Sequence, residues 1–153
     1  MLVRVMIYRE ENRDLFKVGK DYYFVQCISA DFAMGAGIAL QFNKYFSIKN
    51  KLVSKYKSFT DRWDSLEEHG TCLLEGRVYN LITKRSFWNK PTEETMRNAL
   101  KSMRVMINNN QDCKKLAMPK IGSGLDKMSW SIVSKLLQET FEDSDIEILV
   151  CYI

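Results

Sequence analysis

The feature that most constrains the fold is the segment at residues 22–28, YYFVQCI, which is apolar almost throughout. A strand of this composition is expected in the interior of a sheet that is covered on both faces, because a strand with one face in water would alternate. The segment runs directly into a loop that carries Gly35 and Gly37, and then into a helical pattern. The sequence therefore predicts a central strand whose carboxyl end leads through a glycine-bearing loop into a helix.

A second loop of the same kind, PKIGSGLD at residues 119–126, lies between a short apolar segment at 115–118 and a helical pattern beginning near Ser129. Two glycines flank Ser123, so backbone N–H groups can converge on a concave surface, and such nests bind phosphate. Asp126 ends the loop. A carboxylate beside an anion cradle repels the ligand unless it is directed at a different part of it, which makes Asp126 a candidate for chemistry. The alternative is a tight turn closed by an acid at a helix start.

The remaining chain alternates strands with amphipathic helices. Further strands are predicted at residues 2–8, 71–77, 78–83 and 146–153, with a polar turn at 9–13; helices are predicted at 38–46, at 48–56 and from Thr92 to Asn108, with a short helix or loop within 58–70. This alternation predicts a three-layer α/β domain with a mixed sheet. Ligands of such sheets bind outside the carboxyl ends of the strands. Both glycine loops lie at such ends, so two nests facing one crevice could bind a pyrophosphate from two sides.

Composition excludes several classes of protein. The 153 residues suit a single globular domain, 1–153. No apolar run approaches the roughly 18 residues of a membrane helix, and no leader pattern opens the chain, so we expect an intracellular, soluble protein. The four cysteines lie far apart and there is one histidine, His69, in a polar setting. We therefore predict no metal site, a surface position for His69, and reduced, mostly buried thiols.

The net charge of +4 is too mild to indicate a nucleic-acid-binding protein by itself. Locally, however, basic residues cluster between Lys44 and Arg62. This cluster could direct a phosphate-bearing ligand or partner toward the region, or it could be an ordinary solvated helical face. Both interpretations stay open.

Several motifs together resemble those of a known family. They are Asp14-Leu15-Phe16, CISADFAMGAGIALQF at residues 27–42, YNLITK at 79–84 with Lys90-Pro91-Thr92 beyond it, and MPKIGSGLDKMSW at 118–130. In this order, over nearly the whole chain, they are similar to the motifs of a macrodomain, most closely of the terminal ADP-ribose protein glycohydrolase type, which also deacylates O-acyl-ADP-ribose. The resemblance implies a three-layer α/β/α macrodomain with a central mixed sheet.

The resemblance also implies roles for individual residues. Asp14 is similar to the acid that hydrogen-bonds the adenine amino group, whereas Gly35, Ala36 and Gly37 are expected to face the phosphates and the distal ribose. Arg13 stands where a glycine is usual, and Ser123 where a cysteine is common. The full set implied to bind ADP-ribose is Asp14, Leu15, Ser29, Asp31, Gly35, Ala36, Gly37, Ile38, Pro119, Ile121, Gly122, Ser123, Gly124 and Leu125.

Lys84 and Asp126 match the lysine and aspartate that this type of macrodomain uses for catalysis. A lysine attacks only as the neutral amine, and its ordinary pKa of about 10.4 makes that form rare. An ionised Asp126 would stabilise the ammonium, so nucleophilic attack requires that Asp126 take a proton or that substrate rearrange the pair. The alternative is an ordinary ion pair lining a binding cleft.

The expected activity is hydrolysis of ADP-ribose from acidic side chains or from ADP-ribosylated nucleic acid, together with deacylation of O-acyl-ADP-ribose. Lys84 is the expected nucleophile and Asp126 the acid and base, with no metal or cofactor. The expected partners are ADP-ribose and ADP-ribosylated protein or nucleic acid, with no membrane, and the expected state is a monomer. The alternatives are a non-catalytic reader of ADP-ribose, a phosphatase of ADP-ribose 1″-phosphate, and a nucleic-acid-binding module that uses the basic segment from Lys44 to Arg62.

Overall fold

The computed structural model of the protein describes residues 5–153, and its centre is a six-stranded sheet. The strands are β1 (Ile7–Asn12), β2 (Tyr22–Ser29), β3 (Thr71–Glu75), β4 (Val78–Lys84), β5 (Lys115–Met118) and β6 (Glu147–Tyr152). They lie in the order β1-β6-β5-β2-β4-β3, and every neighbouring pair is parallel except β3 and β4, which form an antiparallel hairpin. The predicted mixed sheet and the interior position of β2 are confirmed.

Helices cover both faces of the sheet. They are α1 (Gly37–Phe46), α2 (Ile48–Tyr56), α3 (Thr60–Ser65), α4 (Glu93–Asn108) and α5 (Trp130–Phe141), with one turn of 3-10 helix at Leu15–Lys17. Apolar residues of α4 and α5 pack on one face, and those of α1, α2 and α3 pack on the other. The predicted three-layer α/β/α arrangement is confirmed. No helix within residues 5–153 is long and apolar enough to cross a membrane.

The sheet has a hydrophobic core on each face, and the composition of β2 follows from its position between the two cores. Successive side chains of a strand point to opposite faces, and Val25 packs among residues of α4 and α5 whereas Phe24 and Ile28 pack with α1 and α2. Each of these side chains is at least 90% buried. Both faces of the strand therefore require apolar residues, which explains the unbroken apolar segment in the sequence.

The first strand differs from its prediction. The sequence predicts a strand at residues 2–8 and a polar turn at 9–13, whereas β1 spans Ile7–Asn12, and residues 2–4 lie outside the described part of the chain. The predicted turn is wrong because β1 is an edge strand that pairs with β6 through its backbone and leaves most of its side chains in water. Charged side chains are usual on such an edge, so the polarity of residues 9–13 does not distinguish a turn from an edge strand.

The other predicted boundaries are confirmed with small shifts. Ser47, with φ of 54°, ends α1 in the left-handed conformation and separates it from α2. Thr92 is the N-cap of α4: its hydroxyl oxygen accepts from the Thr95 N–H at 3.1 Å, and Thr95 accepts from the Thr92 N–H at 2.9 Å. All four cysteines are free thiols and three are buried. His69 lies exposed against the Trp63 ring.

The carboxyl ends of β2, β4 and β5 meet at one edge of the sheet because β2 pairs in parallel with both of the other strands. From β2 the chain passes to α1, α2 and α3 on one face, and from β4 it passes to α4 on the opposite face. Connections that leave neighbouring strands toward opposite faces open a crevice between them. The fold therefore places a crevice at the end of β2.

A buried polar pair joins β2 to the β3–β4 hairpin beneath this crevice. The Gln26 side chain donates from Nε2 to Oδ1 of Asn80 at 2.8 Å, and Nδ2 of Asn80 donates to the carbonyls of Leu73 and Val78. Gln26 and Asn80 are both fully buried. Buried amides must be hydrogen-bonded to avoid a desolvation penalty, so the pair fixes the position of the hairpin relative to β2.

Replacing Asn80 by alanine is expected to lower the free energy of unfolding by about 2–3 kcal/mol, because it removes three hydrogen bonds and leaves Nε2 of Gln26 without the acceptor it has in the parent. The other amide atom of Gln26, Oε1, is buried without a partner among the described residues in the parent as well. Urea unfolding followed by far-UV circular dichroism measures the change. The control is Asn50→Ala, which removes an exposed side chain on α2 and is expected to cost less than about 0.5 kcal/mol. Equal losses for the two variants would contradict the role assigned to Asn80.

Candidate active site

A cavity of about 850 Å³ lies at the carboxyl edge of the sheet, bounded by the loops that follow β2, β4 and β5. Twelve of the residues predicted from the sequence line it: Ser29, Gly35, Ala36, Gly37, Ile38, Lys84, Pro119, Ile121, Gly122, Gly124, Leu125 and Asp126. The fold thus brings both glycine loops and the proposed catalytic pair to one space. Four predicted residues are not in its lining: Asp14, Leu15, Asp31 and Ser123.

The amino terminus of α1 opens into this cavity. Its N-cap, Ala36, makes no side-chain capping bond, and the first turn, which begins at Gly37, contains no acid. The first N–H groups of a helix carry partial positive charge and lack partners within the helix, so an uncapped helix start attracts an anion. A missing side-chain cap does not by itself distinguish α1, since α2, α3 and α5 also lack one and only α4 is capped, by Thr92. The start of α1 is distinguished by its position in the lining of the cavity.

The loop after β5 presents a second group of amides. Backbone hydrogen bonds within the loop occupy the N–H groups of Ile121, Ser123, Lys127 and Met128. Within residues 5–153, no protein acceptor is recorded for the N–H groups of Gly124, Leu125 and Asp126. Three successive amides without an intramolecular acceptor, beside a cavity, are available to an anion. Binding of phosphate by this loop stays a prediction.

The backbone conformation and the packing around Gly122 both require a glycine at this position. It adopts φ of +75°, and an added Cβ would lie 2.9 Å from Cε of Met96 on α4. Gly35 and Gly124 differ, because a Cβ on either would meet nothing within 4 Å. Neither packing nor a left-handed backbone explains glycine at these two positions. Both line the cavity, so glycine there leaves room for whatever occupies it.

Lys84 and Asp126 meet at the base of these loops. Nζ of Lys84, the last residue of β4, donates to Oδ1 of Asp126 at 2.7 Å, and each side chain is 14% exposed. Sheltering from water strengthens their attraction relative to a surface pair. The contact predicted from two distant parts of the sequence is present, in the form of an ion pair with an ammonium donor.

Cys27 lines the cavity near this pair, but its thiol is not an activated nucleophile. Burial raises the pKa of Cys27 well above its ordinary value, and the negative charge of Asp126 raises it further. A thiol attacks as the thiolate, and this raised pKa disfavours the thiolate of Cys27. Lys84 and Asp126 are the only residues with ionisable side chains that pair with each other in this lining.

Asp31 lies behind the cavity wall and joins two of its loops. Its carboxylate accepts hydrogen bonds from the Ser29 hydroxyl, from the Ala33 N–H at 3.1 Å and from the Phe87 N–H at 3.0 Å. Partial burial opposes ionisation, but these three donors outweigh it and hold the pKa of Asp31 below its ordinary value. The geometry gives Asp31 a bracing role between the loops after β2 and β4, and its predicted contact with ADP-ribose stays a prediction.

Lys90 makes the corresponding link between the loops after β4 and β5. Its Nζ donates to the carbonyl of Leu125 at 3.0 Å, one residue before Asp126. Leu125 in turn reaches the loop after β2, since a Cβ on Gly37 would lie 3.1 Å from its Cδ1. The three loops around the cavity are therefore joined to one another by Asp31, Lys90 and Leu125.

Asp14 and Leu15 lie after β1 on the same side of the sheet, outside the lining. One carboxylate oxygen of Asp14 accepts the Phe16 N–H at 2.9 Å as the cap of the 3-10 turn, and Leu15 is 5% exposed in the core. The predicted adenine contact of Asp14 remains a prediction. Ser123 has a buried hydroxyl with no partner recorded among the described residues, and its role in binding also remains a prediction.

Sequence reasoning did not select several residues that line the cavity: Cys27, Ile28, Ala33, Met34, Ala39, Lys49, Phe87, Lys90 and Lys120. The lining of the cavity therefore contains four lysines, including Lys84, and one carboxylate, that of Asp126. Lys49 belongs to the basic segment at 44–62, whereas Lys55 of that segment pairs with Glu75 on β3. Both interpretations of the basic segment therefore apply to part of it: Lys49 lines the cavity, and Lys55 forms a surface ion pair.

Comparison with known proteins supports this description. No protein-family model matches the chain. The chain is 38% identical over 138 residues to the ADP-ribose glycohydrolase OARD1 of Bos taurus, covering 90% of this chain and 86% of that protein. The structure is similar to the macrodomain of Thermus aquaticus DarG, with a TM-score of 0.77, 21% identity, and coverage of 97% of this chain and 99% of that one. It is also similar to Thermosipho africanus DarTG in complex with ADP-ribose, with a TM-score of 0.65, 17% identity, and coverage of 95% and 41%. The fold is that of a macrodomain.

Replacing Asp31 by alanine is expected to increase amide hydrogen exchange at Ala33 and Phe87 by about tenfold, because each N–H loses a charged acceptor. In the parent protein a loss of protection at these two amides is expected on acidification, with each exchange rate divided by the intrinsic rate at that pH, because base-catalysed exchange itself slows on acidification. Folding lowers the pKa of Asp31, so its contribution is complete above the ordinary carboxyl pKa of about 3.9 and is lost as the pH falls through the lowered pKa.

The matched control for this exchange experiment is Asp112→Ala, which removes an exposed carboxylate outside the site. It is expected to leave exchange at Ala33 and Phe87 unchanged. Unchanged exchange in Asp31→Ala itself would show that the two loops hold their positions without this brace.

Proposed function

The chain belongs to the macrodomain family that includes the ADP-ribose glycohydrolase OARD1, and from this premise we propose that it hydrolyses ADP-ribose from acidic side chains or from nucleic acid and deacylates O-acyl-ADP-ribose. The observation that carries the proposal is the Lys84–Asp126 pair, which lies sheltered at the base of a cavity lined by two groups of free amides. A cavity of about 850 Å³ is in the size range of small-molecule and cofactor sites.

The charges of the cavity fit a diphosphate. The uncapped start of α1 and the amides of Gly124, Leu125 and Asp126 offer hydrogen-bond donors from two loops, and Lys49, Lys90 and Lys120 add positive charge. With the diphosphate between these loops, the distal ribose extends toward Lys84. The adenine end then extends toward Asp14, whose second carboxylate oxygen has no recorded partner among the described residues.

In the proposed reaction, Nζ of Lys84 attacks C1″ of the distal ribose. The new N–C1″ bond forms as the bond from C1″ to the acyl oxygen breaks, and the carrier carboxylate leaves with the electron pair. The attacking nitrogen must be neutral, so the extra proton of Lys84 passes to Asp126, which already accepts it in a 2.7 Å hydrogen bond. In this proposal Asp126 acts as the base for Lys84.

The second half of the reaction restores the site. Asp126 returns its proton to the lysine nitrogen as the N–C1″ bond breaks, takes the proton of the attacking water, and then releases that proton to solvent. The products are the carrier carboxylate, one proton, free ADP-ribose and a pair in its starting state. Low exposure of the pair limits competing water while the adduct exists. Deacylation of O-acyl-ADP-ribose uses the same cavity, with Asp126 activating water at the ester carbonyl.

The carrier, the oligomeric state and the location in the cell form part of the proposal. An acidic side chain of a protein and a nucleic acid both satisfy the chemistry at C1″. We propose a monomeric, intracellular protein.

Lys84→Ala and Asp126→Ala are each expected to lower release of glutamate-linked ADP-ribose by about a thousandfold, since residues that act as one unit fail together. Lys84→Ala is expected to retain most of its affinity for ADP-ribose by titration calorimetry. The readout is a panel of glutamate-, serine- and base-linked ADP-ribose together with O-acetyl-ADP-ribose. Lys101→Ala, which changes an exposed lysine on α4, is the matched control.

The same panel, extended by ADP-ribose 1″-phosphate, separates the reader and phosphatase alternatives. A reader binds ADP-ribose and releases none in the parent protein. A phosphatase releases phosphate from ADP-ribose 1″-phosphate in both variants. Release of glutamate-linked ADP-ribose by Lys84→Ala at the parent rate would refute the nucleophile assignment.

Gly124→Ala is expected to weaken ADP-ribose binding about tenfold while the free energy of unfolding changes by less than about 1 kcal/mol. The added methyl group meets no protein atom within 4 Å but enters the space beside the free amides. Calorimetry with ADP-ribose and urea unfolding measure the two quantities on one sample. Unchanged affinity would place the diphosphate elsewhere in the cavity.

A further inference from the structure

The ammonium of Lys90 binds a backbone carbonyl of the loop that ends at Asp126. Its Nζ donates to the carbonyl oxygen of Leu125 at 3.0 Å, and no other donor to this oxygen is recorded among residues 5–153. Within the same residues, no carboxylate forms an ion pair with Lys90. The recorded partner of this lysine is therefore the loop backbone and not an acid.

The backbone that carries Lys90 is held in place. The next residue, Pro91, is buried, and a residue that precedes proline is restricted to extended conformations. Thr92 then caps α4 through reciprocal hydrogen bonds with Thr95. The Lys90 side chain therefore extends toward the loop after β5 from a fixed position at the start of α4.

The peptide group between Leu125 and Asp126 has few other contacts. Leu125 is 64% exposed, and a Cβ on Gly124 would meet nothing within 4 Å. The Asp126 N–H has no acceptor recorded within residues 5–153. A peptide group with so few contacts can rotate about its flanking bonds while the neighbouring side chains move little. The hydrogen bond from Lys90 is the one recorded in the described chain that opposes this rotation.

The direction of the Asp126 N–H follows from this hydrogen bond. The C=O and N–H groups of one trans peptide point in opposite directions, so a carbonyl directed at Lys90 directs the Asp126 N–H away from the ammonium. Rotation of the peptide by half a turn would put the partially negative carbonyl oxygen of Leu125 in the place of the N–H. A diphosphate beside the loop would then meet an acceptor instead of a donor.

We propose that Lys90 is a positioning residue for the diphosphate, because it holds the peptide between Leu125 and Asp126 with the N–H available to the anion. This inference rests on the proposed function, in which the diphosphate lies against the amides of this loop. The ammonium also polarises the peptide, which strengthens the N–H as a donor. Asp126 then serves the site twice: its carboxylate pairs with Lys84, and its amide is oriented by Lys90.

The first test measures the peptide orientation without ligand. Rotation of the peptide changes ψ of Leu125, and with it the nuclear Overhauser effect between Hα of Leu125 and the amide hydrogen of Asp126. Lys90→Met keeps a side chain of similar length without a donor, and is expected to change this effect at least about twofold. Lys90→Arg, which still donates, and Lys101→Met, an exposed change on α4, are expected to preserve it. An unchanged effect in Lys90→Met would overturn the inference.

The second test separates orientation from simple charge attraction. Lys90→Met is expected to weaken ADP-ribose binding about fivefold by calorimetry, because the apparent affinity falls with the fraction of protein in the competent orientation. Lys90→Arg is expected to restore most of the affinity. Lys49→Met is the charge comparison, since it removes a cation from the same lining and Lys49 has no recorded side-chain contact with the loop after β5 in the described chain.

Salt distinguishes the two effects. In 1 M NaCl the screening length is about 3 Å, so the loss caused by Lys49→Met is expected to disappear. The loss caused by Lys90→Met is expected to persist, because the orientation of a peptide does not depend on long-range attraction. If both losses disappear together, Lys90 acts by charge alone and the inference is overturned.

The third test uses turnover of O-acetyl-ADP-ribose. Lys90→Met is expected to raise KM about fivefold and to change kcat by less than about twofold, because the contact between Lys84 and Asp126 is left intact. A fall in kcat with KM unchanged would contradict the proposed role. A parent protein that binds ADP-ribose but turns over no substrate would refute the proposed hydrolase, whereas the Overhauser and calorimetric measurements would still decide the role of Lys90.

Discussion

The structure depends above all on the parallel pairing of β2 with both β4 and β5. Parallel pairing aligns the carboxyl ends of the three strands, and the helical connections on opposite faces keep the space beyond those ends open. Each strand end then contributes a different part of the site: amides from the start of α1, an amine from Lys84, and more amides together with a carboxylate from the loop that ends at Asp126. The amides, the amine and the carboxylate therefore come from three separate parts of the sequence, and the sheet brings them together.

Much of the fold was predictable because its signals are local. The unbroken apolar segment of β2 reports burial on both faces, the Thr92 cap marks the start of α4, and Gly76 marks the hairpin. The principal site residues were predictable for a different reason, since Gly-x-Gly loops and the motifs around Lys84 and Asp126 resemble a family. Resemblance supplied the pairing of Lys84 with Asp126, which no periodicity could reveal, because 42 positions separate them.

The unpredicted features are tertiary. The polar segment of β1 is a strand only because β6 supplies an ordered partner at the sheet edge. Asp31 lies on a loop that the family motif predicts to bind the ligand, but its carboxylate oxygens accept hydrogen bonds from backbone amides of two loops. The sequence does not distinguish Lys90 from other surface lysines, because its contact is a hydrogen bond to the carbonyl of Leu125, 35 residues away. In each case the relevant partner lies far away in the chain, so composition near the residue carries no information about it.

The protonated state of Cys27 has a consequence for the chemical robustness of the site. Peroxides and alkylating agents react with thiolates far faster than with thiols, and burial beside a carboxylate keeps this sulfur in the thiol form. The amine and carboxylate beside it are not oxidised by peroxide under the same conditions. The chemistry proposed for the pair therefore uses no thiolate, and the cysteine beside it presents oxidants with a thiol rather than a thiolate.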